Sequence, residues 1–298
     1  MKTAWVFPGQ GSQKIGMGQD VIDLKDAKER FQYASDIFEK DLFGICQTNS
    51  DNESLELDLN NTKNTQICLF LVESILLDAL KNNGHEPNFV AGHSLGEISA
   101  LYAGNVLSFQ DCVSLIKFRS ELMANAAEGS MAAIIGFDRQ ELDSLILGID
   151  NLVIANDNSS SQVVLSGSKN SLDEISKSIK CKRFINLNVS GAFHSHFMEE
   201  PSNQFSKYLD NIFFNQSTYK IISNSNPTFS DKSQEIKDRL KNQMCNGVRW
   251  RETMDLMGKQ DDELHLIEIG PSNVLGGLAK RHLKNVLITQ VSSSGMIF

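Results

Sequence analysis

The sequence predicts an α/β fold: a mostly parallel sheet carrying helices, interrupted once by a smaller α+β unit. Three observations carry this reading. Strand-like and helix-like segments alternate along both ends of the chain, the pattern of parallel strands joined by crossover helices. Between residues 130 and 190 the order changes to strand, helix, strand, strand, helix, strand. A Gly92-His93-Ser94-Leu95-Gly96 run lies between a β-rich stretch and a helical one.

The elements follow in order. "TAWVF" (3–7) is a first strand running into the turn "PGQGSQ", and a helix follows near residues 26–40. "TQICLFLVESILLDALKNNGH" (65–85) reads as a largely buried helix with Gly84 as its C-terminal stop. "NFVAGHS" (88–94) is a strand, "LGEISALYAGN" (95–105) a helix, and "QDCVSLIKFRSELMANAAE" (110–128) another. In the middle unit "MAAIIGF", "LVIANDN", "SQVVLSG" and "CKRFINLNV" are strands, while "DRQELDSLIL" and "SLDEISKSI" are helices. That β-α-β-β-α-β order is the ferredoxin-like split βαβ motif, read as an inserted subdomain over 129–191 of a larger domain formed by 1–128 and 192–298. The chain returns through "SGAFHSHFMEE", a helix, the strand "YKIISNSN" (219–226) and two helices. Strand "LHLIEIG" (264–270), helix "VLGGLAKRHL" (274–283) and strand "VLITQV" (286–291) close the fold, and the tail "SSSGMIF" is expected to fray.

Composition narrows the function classes. At 298 residues, 41% hydrophobic and 22% charged, the chain is globular and long enough for a large core. No apolar run reaches the ~18 residues of a membrane helix, and the short apolar patch at the N-terminus is no secretory signal, so a cytoplasmic protein is expected. The five scattered cysteines form no C-x-x-C pair, which argues against disulfides and zinc. A net charge of −9 argues against nucleic-acid binding; an acidic protein partner would need a local basic patch working against that field. Lys280, Arg281 and Lys284 form one small basic cluster, a pattern that more often marks a solvated face.

The chemistry centres on Ser94. Strand, sharp turn and helix make G-x-S-x-G a nucleophile elbow, which exposes the serine hydroxyl and aims the N–H of Leu95 at the reacting carbonyl. The bland alternative is a surface serine between two coincidental glycines. Serine needs a base. Of the histidines, His93 is expected to point away from its neighbour, His85 to be exposed, and His265 and His282 to lie elsewhere on a strand and a basic helix. The small-residue loop "SGAFHSHF", at the junction of the two units, offers His194 and His196. Arg119 interrupts the apolar stripe Cys112, Leu115, Ile116, Leu122, Met123, so it is buried and needs an anion. That anion is either a structural carboxylate or part of a substrate, since arginine binds carboxylates bidentately. "PGQGSQ" lacks the third glycine and the G-K-[ST] ending of nucleotide loops, but the N–H of Gln10 suits a second oxyanion donor.

Taken in order, "VFPGQGSQ", "AGHSLGE", the arginine of "KFRSELM", "SGAFHS", "NGVRW" and "EIGPSNVLGGL" resemble malonyl-CoA:acyl-carrier-protein transacylases of bacterial type II fatty-acid synthesis, over residues 3 to 291. The resemblance implies an α/β-hydrolase-like large domain with the ferredoxin-like unit inserted and the cleft between them. It implies Ser94 as the acyl-accepting nucleophile, His194 as the base, Arg119 as the receptor of the malonyl carboxylate, and the N–H groups of Gln10 and Leu95 as the oxyanion hole. It also puts the carbonyl of Arg249 where the histidine is oriented, and Asn158 in the cleft lining. Gly247 and Ile98 depart from residues common in the family, as does Ile67, but none is a group that does chemistry. His196 stays the weaker rival.

The implied activity is malonyl transfer from malonyl-CoA through a Ser94 ester to the phosphopantetheine thiol of acyl carrier protein, by a monomer with no cofactor and no metal. Phe193, beside the base, is expected to narrow the pocket and favour malonyl over methylmalonyl by a finite margin. The rivals are a stand-alone acyltransferase serving a polyketide synthase, a serine esterase or thioesterase, and a non-catalytic module that binds carrier protein. The buried arginine opposes the esterase, and retention of Ser94 and His194 opposes the inert module.

Overall fold

The first strand, β1 (Lys2–Phe7), sends Trp5 and Phe7 into one apolar cluster and Ala4 and Val6 into another. A strand apolar on both faces belongs in the middle of a parallel sheet covered on both sides. The computed structural model describes residues 1–47, 57–126, 129–189 and 191–297. The expected helix end at 127–128, Ser190 of the junction loop and Phe298 of the tail lie outside these described residues.

After β1 come α1 (Ala27–Phe38), α2 (Leu42–Gln47) and α3 (Thr62–Asn82). The Asn61 side chain caps α3 by accepting from Lys63 N, and the chain leaves it through Gly84 at φ 82°, as expected of a glycine stop. β2 (Phe89–Gly92) leads into α4 (Gly96–Ala103), and α5 (Phe109–Ala124) opens with a capping box between Ser108 and Asp111.

The middle unit is β3 (Ser130–Phe137), α6 (Arg139–Leu147), β4 (Leu152–Ser159), β5 (Gln162–Gly167), α7 (Lys169–Ser178) and β6 (Cys181–Asn186). Its sheet runs β4-β5-β3-β6 with every neighbouring pair antiparallel, so β5 splits the β3-α6-β4 unit and β3 splits β5-α7-β6. That is the split βαβ arrangement that the order of strands and helices implies. Ala132, Ile134, Val163 and Leu165 face its own helices through Leu142, Leu172 and Ile175. Met131, Ala133 and Val164 alternate to the opposite face, towards the large core.

The chain returns with α8 (Glu199–Asp210), β7 (Lys220–Ile222), β8 (Phe229–Ser230), α9 (Ser233–Lys241), α10 (Trp250–Gly258), β9 (Leu264–Ile269), α11 (Val274–His282) and β10 (Val286–Val291). The large sheet is ordered β10-β9-β1-β2-β7-β8 and is parallel except for β8. α3, α4 and α5 cover one face and α10 and α11 the other.

Two expectations need correction. The strand expected over 219–226 stops at Ile222, because Asn224 turns away to bond the serine loop. The tail does not fray over its described part. Residues Ser294–Met296 form a 3-10 turn, Ser294 N donates to Asp20 O, and Ile297 packs on the core. Among the described residues no helix is long and apolar enough to cross a membrane.

Candidate active site

Ser94 sits immediately after β2, at φ 54°. A non-glycine residue held in the left-handed region stores about 1–3 kcal/mol of strain, so the surroundings must enforce it. The two flanking glycines explain how. A Cβ on Gly92 would lie 1.8 Å from the Gly96 carbonyl oxygen, and one on Gly96 would lie 2.0 Å from that of Phe7. Asn224 completes the clamp, accepting from Ser94 N at 2.7 Å and donating to Gly92 O at 2.6 Å.

The second left-handed non-glycine residue at the site is His194, at φ 57°. Its N–H donates to Met244 O, and its ring is buried. Nδ1 faces two carbonyl oxygens, of Gln243 at 3.0 Å and Asn246 at 3.1 Å. Carbonyls only accept, so Nδ1 carries the proton and Nε2 is the free base. Nε2 lies 2.8 Å from Ser94 Oγ. The expectation that Arg249 orients this ring is therefore wrong. Arg249 is the N-cap of α10, and its carbonyl is taken by Thr253 N at 3.0 Å. Its side chain turns outward to Glu252. His196 is exposed in the next turn.

Arg119 is 1% exposed, as its place in the apolar stripe demands. Nη2 donates to Ser94 Oγ at 3.1 Å and to Gln243 Oε1 at 3.0 Å, Nε reaches the same oxygen at 3.2 Å, and Nη1 donates to Gln66 Oε1 at 2.5 Å. Every partner is neutral: among the described residues no carboxylate pairs with this guanidinium. Burial lowers its pKa to about 10, the Glu97 carboxylate opposing the shift, so it remains a cation at neutral pH. Burial first, and the neighbouring Arg119 charge second, lower His194 to about 4. The His194 ring is thus neutral at neutral pH, with Nε2 able to accept a proton.

These groups line a cavity of about 250 Å³ between the two sheets, together with Gln10, Leu95, Asn158 and Phe193. Among the described residues, the N–H groups of Gln10 and Leu95 donate to no protein acceptor. Gln10 is held instead through its side chain, which accepts from Thr62 Oγ1 at 2.6 Å. Asn158 accepts from His93 Nε2 at 2.8 Å. His93, expected to point away from its neighbour, lines the same cleft as Ser94 and is held there by Asn158. Phe193 is buried beside His194. Lys280, Arg281 and Lys284 are exposed on α11 and the turn after it.

Sequence reasoning missed Gln243, Asn224, Gln66 and the part played by Glu97. Gln243 carries most: its carbonyl fixes the histidine, and its buried amide joins Arg119 to Ser94 O and Glu97 Oε2, the last two at 2.8 Å. Gln66 closes the polar run Thr62–Gln66 that opens α3, where one more polar residue draws no notice. Gln243 and Asn224 lie in loops, where amides are unremarkable.

The family model for the acyl transferase domain matches residues 4–294. A malonyl CoA-acyl carrier protein transacylase from Synechocystis sp. is 45% identical over 96% of this chain and 97% of its own length. The crystal structure of the Synechocystis sp. malonyl-CoA:ACP transacylase superposes with a TM-score of 0.95 at 42% identity, covering 100% of this chain and 99% of that one. A malonyl-transacylase solved in complex with its type II polyketide acyl-carrier protein superposes with a TM-score of 0.90 at 30% identity, covering 100% and 98%.

Proposed function

We infer the reaction from two premises: the chain belongs to the acyl transferase family, and its serine–histidine pair lies beside a buried arginine whose contacts are all neutral. The protein transfers the malonyl group of malonyl-CoA to the phosphopantetheine thiol of acyl carrier protein, supplying fatty-acid synthesis. The observation that carries this reading is Arg119. A cation 3.1 Å from the nucleophile suits an acyl group bearing its own carboxylate, and nothing in an ester of an uncharged acid would use it.

His194 Nε2 takes the Ser94 hydroxyl proton as Oγ attacks the thioester carbon. The N–H groups of Gln10 and Leu95 receive the oxyanion, with Leu95 at the N-terminus of α4 adding that helix's favourable dipole. The C–S bond breaks, and coenzyme A leaves with the proton held by His194. The carrier's thiol then gives its proton to the same nitrogen and attacks the Ser94 ester, and Oγ departs by taking that proton back. This is ping-pong transfer through a covalent intermediate, with every step carried by side chains and backbone of this chain. Because the histidine rests on carbonyls and not on a carboxylate, its imidazolium gains no ionic partner, which makes the pair a weaker activator of water than a triad. The setting is the cytoplasm.

Intact-protein mass spectrometry after brief mixing with malonyl-CoA tests the reading. A malonyl-sized gain is expected in the wild type and not in Ser94→Ala, discharged quickly by holo acyl carrier protein and slowly by buffer. A gain that decays at once in buffer would make the protein a hydrolase. A polyketide carrier is the second reading, favoured by the likeness to the carrier complex, and relative discharge by the two carriers separates them.

A further inference from the structure

The ligands of Arg119 are two amides where a buried guanidinium ordinarily finds a carboxylate. Gln66 and Gln243 are 1% and 0% exposed. An amide can present either end, so something must hold the oxygens towards the guanidinium. For Gln243 it is the pair of acceptors behind its nitrogen, Ser94 O and Glu97 Oε2, both at 2.8 Å. A carbonyl and a carboxylate only accept, so Nε2 must face them and Oε1 must face Arg119. For Gln66 the nitrogen end meets Met123 Sδ at 3.3 Å, a weak acceptor. Glu97 is thus a carboxylate kept one amide away from the cation. It orients the ligand without itself pairing with the charge.

An amide oxygen satisfies an N–H donor with a dipole and cancels no charge. A carboxylate in the same place would form an internal ion pair, and a substrate carboxylate would then meet a neutralised arginine and a second anion beside it.

We propose that Gln66 and Gln243 are specificity-determining residues: neutral ligands that position Arg119 while leaving its charge to the carboxylate of the incoming acyl group, with Glu97 setting the direction of the Gln243 amide. The proposal rests on Arg119 being the anchor of the malonyl carboxylate. It accounts for a polar network that is buried, fully paired and yet carries an unspent positive charge at the floor of the cleft.

The test compares loading by malonyl-CoA and by acetyl-CoA, which differ by that carboxylate, in wild type, Gln66→Glu, Gln243→Glu and Arg119→Ala. kcat and KM come from rapid-quench mass spectrometry of the acyl-enzyme. Each Gln→Glu change is expected to lower malonyl kcat/KM by about 100-fold, mainly through KM, and to lower acetyl loading much less. A purely structural role would depress both donors alike, and an unchanged malonyl-to-acetyl ratio in both Glu variants overturns the proposal. Arg119→Ala separates the two levels. If it keeps the preference, Arg119 is not the anchor and both readings fall; if it loses the preference while the Glu variants keep it, only the neutral-ligand proposal falls. Gln243→Glu brings a carboxylate against Glu97 and risks misfolding, so the charge-swapped double variant Glu97→Gln/Gln243→Glu, with one carboxylate in the network, is run beside it. It is expected to show the same collapse of preference, and retention of preference there counts against the proposal equally.

Discussion

Ser94, His194 and Arg119 all project from the large-sheet side of the cleft, whereas the four-stranded sheet faces it with Met131, Ala133, Val164 and Asn158. The difference follows from the sheets themselves. In a parallel sheet the strands end together, so the loops beyond their C-terminal ends gather in one place. Gln10 follows β1, Ser94 follows β2, and Asn224 follows β7. In the antiparallel inserted sheet the strand ends point both ways, and what meets the cleft is a face of alternate side chains. One wall thus concentrates reactive groups, and the other supplies shape.

The sharpest way to break that contrast is at His194, the proposed base. His194→Ala is expected to slow malonyl loading by about 1,000-fold, the scale of a lost general base, while leaving the malonyl-to-acetyl preference of the residual activity in place. Stopped mixing with mass detection of the acyl-enzyme measures both. A comparable loss from an inserted-sheet change such as Asn158→Ala would dissolve the division between the walls. Next in size is Arg119→Ala. It is expected to cut the malonyl preference by about 100-fold and to speed hydrolysis of the acyl-enzyme relative to its discharge by carrier protein, because the acyl group is no longer pinned. Parallel decay assays in buffer and with carrier decide it.

A pH series sharpens the same wall. His194 is lowered to about 4, chiefly by burial and then by Arg119. As the proposed base His194 must be neutral to act, so kcat/KM for loading is expected to stay flat as pH falls past the usual histidine range near 6.5, and to lose activity only on approaching about 4. The sign for stability is the same. Between those values the unfolded chain binds a proton that the folded ring refuses, so this group's contribution to stability is present above about 6.5 and is lost as pH falls towards 4. An acid limb centred near 6.5 would show that the ring is more solvated than its burial implies.

The sequence made one wall far easier to read than the other. The elbow was legible because Gly92 and Gly96 leave no room for a Cβ, a constraint that writes itself into residue type. Arg119 was legible as an anomaly, a charge inside an apolar stripe. The strand order of the inserted unit was legible from period-two runs and its helices from their polar faces. Gln243 was not, because its value lies in where α9 ends relative to Ser94, a long-range fact with no local pattern. Arg249 was misassigned for the same reason: position along "NGVRW" says which residues are near the histidine, and only the start of α10 says whose carbonyl is already taken.

The smallest expected effect tests how the two walls are held together. Asp157, on β4, accepts from Arg139 of the inserted unit at 3.1 Å and from Arg251 of α10 at 3.1 and 3.0 Å. Beside it, Asp157 N donates to Val248 O and Val248 N to Ala155 O, so the backbone of the insert is stitched to the large domain at the same point. The two arginine side chains are 34% and 32% exposed, which screens the ion pairs and caps what they contribute. Asp157→Asn keeps the shape and some of the hydrogen bonding, and is expected to cost about 1 kcal/mol, or about 2–4 °C in melting temperature. Loading kcat is expected to stay within about twofold, because the backbone stitches remain to hold the inserted face over the cleft. If the variant instead loses activity with an unchanged melting temperature, the two walls are aligned by this one side chain, and the inserted sheet takes part in catalysis as more than a shape.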